Sequence, residues 1–205
     1  MQGLFFILAL KIMKEKKIGL YFGSFNPIHT GHQIIGETIC VNVSLDAVWF
    51  IISPQNPFKS SHTLLHEFDR FDMVEAALAG NPKLVACDVE FHLPKPSYTI
   101  DTLQHLQQKY PTYLFYLIMG EDNLYGFEKW KQYQDILERY SLLVFPRPDC
   151  KKTSFHTHEK VQFVDAPDMN ISSTYIRNRV KERKSIRYLV HDAVREIIEK
   201  NGYYL

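Results

Sequence analysis

The run Ile18-Gly19-Leu20-Tyr21-Phe22-Gly23-Ser24-Phe25-Asn26-Pro27-Ile28-His29-Thr30-Gly31-His32 restricts the fold more than any other stretch of the chain. Ile18 to Phe22 is a short apolar run closed by a turn, the pattern of a buried strand. Gly23, Asn26 and Pro27 break it, and a helix is predicted from about Thr30 to about Val41. A strand that delivers a glycine-containing turn to a helix start gathers unpaired N–H groups and the positive end of the helix dipole at one spot. Such a spot suits an anion, a phosphate above all. His29 and His32 have the spacing of residues that share one face of a first helical turn, and Gly31 removes a side chain where a ligand must approach the backbone. Two imidazoles there can donate to phosphoryl oxygens. The plainer readings are ordinary helix-start residues or two zinc ligands; no cysteine or carboxylate at ligand spacing accompanies them, which argues against zinc.

The 205-residue chain reads as one domain. Its net charge of +1 gives no general field for a polyanion, so nucleic acid polymers are excluded as a partner class and nucleotide affinity must be local. Cys40, Cys87 and Cys150 are scattered, which disfavours a disulfide framework or a zinc cluster and fits a reducing cytoplasm. Leu4 to Leu10 is too short to span a bilayer and lacks a secretory cleavage pattern; no membrane association is expected. Met13 is read as the natural start, with residues 1–12 an upstream extension and 13–205 the single domain.

Apolar runs and helical patterns alternate along the chain. Strands are predicted at Ala47–Ile52, Leu84–Cys87, Tyr113–Met119, Leu142–Phe145 and Val161–Val164, and helices at Glu67–Ala79, from about Ser97, and at His191–Lys200. This order predicts the α/β class, with a doubly wound parallel sheet. Lys59 lies in a two-proline loop after Ile52 and reads equally as a triphosphate contact or a solvated lysine. Ser97 or Thr99 caps the next helix. Asp122 follows the Tyr113–Met119 strand, where ligands bind in open α/β sheets; ribose binding and helix capping stand side by side. Trp130 is a stacking or a core residue. The polar segment Lys151–Glu159, with His156 and His158, reads as a solvated loop.

Asn170-Ile171-Ser172-Ser173-Thr174-Tyr175-Ile176-Arg177 is a second hydroxyl-rich helix start. Ser172 or Ser173 caps it, and Arg177 lies about one turn on, so its guanidinium can reach back toward the cap. With the free N–H groups this makes a second anion site. Histidine-x-glycine-histidine after a glycine turn, followed far along the chain by Ser-Ser-Thr-x-Ile-Arg, resembles the adenylyl-transferring nucleotidyltransferases. The segment around the first motif is similar to nicotinate mononucleotide adenylyltransferases, and the likeness spans nearly all of residues 17–205. Many members have Gly at Ser24, Asp at Asn26, His at Phe58 and Tyr at Lys131.

The resemblance implies a Rossmann-like nucleotidyltransferase fold and adenylyl transfer from ATP to nicotinate mononucleotide, giving nicotinic acid adenine dinucleotide and pyrophosphate. It implies His29, His32 and Arg177 as catalytic residues. It assigns ATP to Gly23, Ser24, Phe25, His29, His32, Gly120, Asp122, Ile171, Ser172, Ser173 and Arg177. Gly23, Ser24, Lys59, Thr99 and Trp130 are assigned to the mononucleotide, with Thr99 and Trp130 at its nicotinate end. Arg70 resembles a recurrent family arginine, although a surface ion pair is the better reading. No protein-held metal is expected, Mg²⁺ being carried by ATP, and a homo-oligomer is left open. Three alternatives stand beside this reading: a pantetheine-phosphate adenylyltransferase, a preference for nicotinamide mononucleotide, and a non-catalytic nucleotide-binding regulator.

Overall fold

The computed structural model describes residues 15–54, 64–148 and 150–205. The expectations for residues 1–12 and for Lys59 lie outside these. Six strands, β1 (Lys16–Gly23), β2 (Ala47–Ile52), β3 (Leu84–Cys87), β4 (Tyr113–Gly120), β5 (Ser141–Phe145) and β6 (Val161–Phe163), form a sheet of order β3-β2-β1-β4-β5-β6. Every neighbouring pair is parallel. The helices are α1 (Thr30–Asn42), α2 (Glu67–Leu78), α3 (Thr99–Lys109), α4 (Glu121–Tyr125), α5 (Tyr133–Arg139), α6 (Ser173–Lys181) and α7 (Asp192–Asn201). The doubly wound α/β fold expected from the sequence is what forms.

The strands read as continuous apolar runs because both sheet faces are covered. Side chains alternate between two cores. Tyr21, Val48, Phe50, Ile52, Ile118, Leu143 and Phe145 pack on one face against Ile35 and Ile39 of α1, Met73 and Val74 of α2, Ile176 of α6 and Val194 and Ile198 of α7. Ile18, Leu20, Ile51, Leu117, Met119, Leu142 and Val144 pack on the other against Ile100, Leu103 and Leu106 of α3 and Ile136 of α5. Winding reverses at β1, which pairs with both β2 and β4. The carboxyl ends of β1 and β4 therefore open a crevice at the switch point, the place where such sheets bind ligands.

Several local expectations are corrected. Arg70 is fully buried, not a surface residue. Ser97 and Thr99 do not cap α3: its N-cap is Tyr98, without a side-chain bond, and the Ser97 hydroxyl donates to Glu90 Oε2 (3.0 Å). Asp122 is not an N-cap either, since Gly120 holds that place and Asp122 lies in the first turn of α4. Lys151–Glu159 is not simply solvated. It contains a 3₁₀ turn, Ser154–Thr157, that buries Phe155 and brings His156 Nε2 to 2.9 Å from Glu121 Oε1.

Candidate active site

The turn between β1 and α1 is held from several sides. Phe25 has φ 44°, a conformation uncommon for a bulky residue. This geometry tucks the ring under Gly23, where a Cβ would meet the Phe25 ring at 2.7 Å. The ring is buried and stands edge-on to His32, with centroids 5.0 Å apart. Phe25 can therefore offer a nucleotide only its main chain. Arg70 fastens the outer side of the turn entirely through main-chain carbonyls. Nη1 donates to Ser24 O (2.6 Å) and Ser53 O (2.8 Å), Nη2 to Pro54 O (3.0 Å) and Nε to Leu65 O (3.0 Å).

His29 is the N-cap of α1 and His32 its third residue. Their rings stack with centroids 3.6 Å apart, and His32 Nδ1 accepts from the His29 N–H (3.2 Å). His29 is only 6 % exposed, and its Nδ1 has no hydrogen-bond partner among the described residues. Burial, with the charge of Arg147 adding to it, lowers the His29 pKa to about 4, so the ring is a neutral donor at neutral pH. Gly31 is needed chiefly for this ring: a Cβ there would lie 3.1 Å from His29 Nδ1 and 3.4 Å from Met169 Cβ.

The second helix start meets the first. Ser172 Oγ caps α6 by accepting from Tyr175 N (3.1 Å). Ser173 Oγ donates to Pro27 O (2.9 Å). Arg177 reaches back along its helix, as its spacing predicts. Its Nη2 donates to Thr174 Oγ1 (3.1 Å) and its Nη1 to Asn26 O (2.8 Å). Ile171 leans half-buried on the adjoining core. The N-termini of α1 and α6 are thus joined side by side, although they come from opposite ends of the chain.

At the end of β4 the Asp122 carboxylate folds back over Gly120, whose missing Cβ would collide with Asp122 Oδ1 and lie 3.2 Å from the Phe145 ring. Asp122 and Arg147 both act electrostatically on Tyr21, whose ring lies 6.0 Å from that of His32. Asp122 and the histidines thus follow the carboxyl ends of two adjacent parallel strands, β4 and β1.

Arg147 is the functional candidate that the sequence reading passed over. Its Nη1 donates to Met169 O (3.2 Å), and its guanidinium lies 5.1 Å above the Phe145 ring. Its own N–H donates to Glu121 Oε2 (3.1 Å). Burial opposes ionisation of Glu121, but the bonds from His156 and Arg147 outweigh it and hold the carboxyl below its usual range. The signal was available: Arg147 stands two residues past the end of a buried strand at the sheet's carboxyl edge, the rule that drew attention to Asp122.

Thr99 and Trp130 stand on two segments that are bonded to each other through Lys131. Trp130 packs one side on Phe127, with centroids 5.5 Å apart, and remains half-buried. The next residue, Lys131, binds the Asp101 carboxylate (2.9 and 3.0 Å) and sits 4.7 Å over the Tyr98 ring. This joins the Trp130 segment to the start of α3.

A parallel sheet with two helix tips, two histidines and a cluster of guanidinium groups at its switch point has the features of a nucleotide-handling α/β protein. Comparison with known proteins agrees. The cytidylyltransferase-like family model matches residues 20–179. A Cytophaga hutchinsonii protein is 58% identical over 92% of this chain and 98% of its own, and a Flavobacterium psychrophilum protein 46% identical over 92% and 98%. Both carry the name "Probable nicotinate-nucleotide adenylyltransferase". Among solved structures, Plasmodium falciparum nicotinic acid mononucleotide adenylyltransferase, complexed with NaAD, matches with TM-score 0.79 at 22% identity, covering 93% of this chain and 98% of that one. The chain belongs to the cytidylyltransferase-like family, and within it to the group of the nicotinate-nucleotide adenylyltransferases.

Proposed function

We propose that this protein transfers the adenylyl group of ATP to nicotinate mononucleotide, forming nicotinic acid adenine dinucleotide and pyrophosphate in NAD biosynthesis. The observation that carries the reading is the junction of the α1 and α6 N-termini through Ser173–Pro27 and Arg177–Asn26. The names of the relatives support the substrate pair.

A phosphate oxygen of the mononucleotide attacks the α-phosphorus of ATP. The bond to the bridging oxygen breaks, and pyrophosphate leaves with that electron pair. No covalent enzyme intermediate is needed; the protein positions two anions and offsets the charge that builds on the leaving oxygen. In this reading His29 and His32 donate to the ATP phosphates. Ser172, Ser173 and Arg177 take the β- and γ-phosphates, and Ile171 borders them. Gly120 and Asp122 take the adenosine, Asp122 at its ribose. The Gly23-Ser24-Phe25 backbone lies against the reacting phosphates. Thr99 and Trp130 receive the pyridine ring, with Lys59 a further contact. The free N–H groups at the α3 start favour the carboxylate of nicotinate over an amide. Arg147 joins the set as a further cation.

Mg²⁺ enters as part of the nucleotide; no group of three His, Cys, Asp or Glu suited to a metal occurs among the described residues. A cytoplasmic setting and a single domain over residues 13–205 belong to the same proposal. Among the described residues no helix is long and apolar enough to cross a membrane.

A pyrophosphate-release assay tests the function. Release should require both ATP and a mononucleotide, with nicotinate mononucleotide preferred over nicotinamide mononucleotide and phosphopantetheine inert. Activity on phosphopantetheine alone, or ATP binding without release in any mixture, would contradict it.

A further inference from the structure

Glu90 has no place in the chemistry described so far, yet it is one of the most completely enclosed charged residues of the protein. It lies in the 3₁₀ turn Val89–His92 that follows β3 and is 2 % exposed. Among the described residues no cation pairs with it, and hydroxyl groups hold it. Thr102 Oγ1 donates to Oε1 (2.8 Å) and Ser97 Oγ to Oε2 (3.0 Å). The Ser53 hydroxyl bonds the same carboxylate. Burying a carboxylate without a cation is costly, and Leu or Met would fill such a site more cheaply. What a carboxylate adds is direction: it fixes the relative positions of three donors.

Those donors come from two places. Ser97 and Thr102 flank the start of α3, where Thr99 stands. Ser53 directly follows β2, and its N–H donates to Gly23 O (2.9 Å). Its carbonyl accepts from Arg70 Nη1 (2.8 Å), the same nitrogen that bonds Ser24 O (2.6 Å). A continuous set of bonds therefore runs from the Gly23–Ser24 turn through Ser53 and Glu90 to the first turn of α3.

In the proposed reaction, on which this inference rests, the Gly23–Ser24 turn receives the phosphate of the mononucleotide and the α3 start its pyridine ring. We propose that Glu90 is a positioning residue that sets the separation between these two ends of the mononucleotide site. It touches neither substrate and acts through Ser53, Ser97 and Thr102. Its loss should affect the mononucleotide, which spans both ends, more than ATP, which shares only the Gly23-Ser24-Phe25 turn and has its other candidate contacts at α1, α6 and the end of β4.

The test is steady-state pyrophosphate release by Glu90→Gln, Ser97→Ala, Thr102→Val and Thr102→Ser, with each variant's thermal midpoint measured alongside. In Glu90→Gln the KM for nicotinate mononucleotide should rise roughly fivefold or more while the KM for ATP stays within about twofold. Ser97→Ala and Thr102→Val should move the same ratio in the same direction, and Thr102→Ser, which keeps the hydroxyl, should restore it. Both KM values rising together, or neither moving, overturns the proposal. Should Glu90→Gln fail to fold, the Thr102→Val and Thr102→Ser pair decides alone. Wild-type turnover with another mononucleotide corrects the substrate only, and the ratio is then read with that mononucleotide. A wild-type protein inert toward all of them removes the reaction and this inference with it.

Discussion

At the scale of single residues, the proposed chemistry rests on two histidines in unlike surroundings. His32 is half-exposed, and its ring is braced by Phe25 and by the His29 N–H. Truncating it to alanine should lower kcat by roughly a hundredfold or more, the size of effect seen when one transition-state donor is removed. Near-normal turnover in a folded variant would argue against the role. His29 is buried, with its pKa lowered from the ordinary 6.5 to about 4. Between those values the unfolded chain holds a proton that the folded chain does not. His29 therefore contributes no penalty above pH 6.5 and destabilises the fold progressively as pH falls toward 4. The full cost is about 3 kcal/mol. Urea unfolding at pH 4.5 and pH 7 should show a smaller loss of stability in His29→Gln than in the wild type; equal losses would contradict this origin.

At the scale of elements, Arg70 explains why the turn after β1 holds its shape. One buried guanidinium satisfies carbonyls from Ser24, Ser53, Pro54 and Leu65. Arg70→Met keeps the bulk and removes the donors. It should cost roughly 3 kcal/mol in chemical denaturation, since several buried acceptors are orphaned together. A loss under about 1 kcal/mol would show that water replaces the guanidinium.

The same element shows where the sequence was readable. The apolar runs, with glycines and prolines at their ends, located the six strands, α1, α2, α7 and the start of α3 to within a residue or two, because period and punctuation are local properties; the short helices α4 and α5 were not delimited. The starts of α1 and α6 were legible for the same reason. Arg70 was not, because a charged residue is normally exposed and its four acceptors come from separate loops. Ser97 and His156 were misread alike: each had a plausible local role, and a distant partner claimed it instead. Arg147 needed only the strand-end rule applied once more.

At the scale of the whole molecule, the site is closed by the last part of the chain. Besides Ser173 and Arg177, the Leu189 carbonyl accepts from Thr30 N (3.0 Å) and Thr30 Oγ1 (3.1 Å). The Tyr204 hydroxyl donates to Asn26 Oδ1 (2.8 Å), which also accepts from Leu65 N (3.3 Å). Burial raises the Tyr204 pKa, so the group stays a neutral donor. The first turn thus depends on contacts that form only when the C-terminal helices dock. Tyr204→Phe should lower stability by about 1 kcal/mol, read as a shift in the urea midpoint with an unchanged slope. An unchanged midpoint would show that the tail does not brace the turn.

The central claim is that one triphosphate lies between the tips of α1 and α6. A crystal structure with a non-hydrolysable ATP analogue and nicotinate mononucleotide tests it most directly. The account predicts phosphate oxygens within hydrogen-bond distance of His29 or His32 and, in the same molecule, of Ser172, Ser173 or Arg177. A nucleotide bound with its phosphates touching only one of the two helix tips, or lying elsewhere on the sheet, would contradict it.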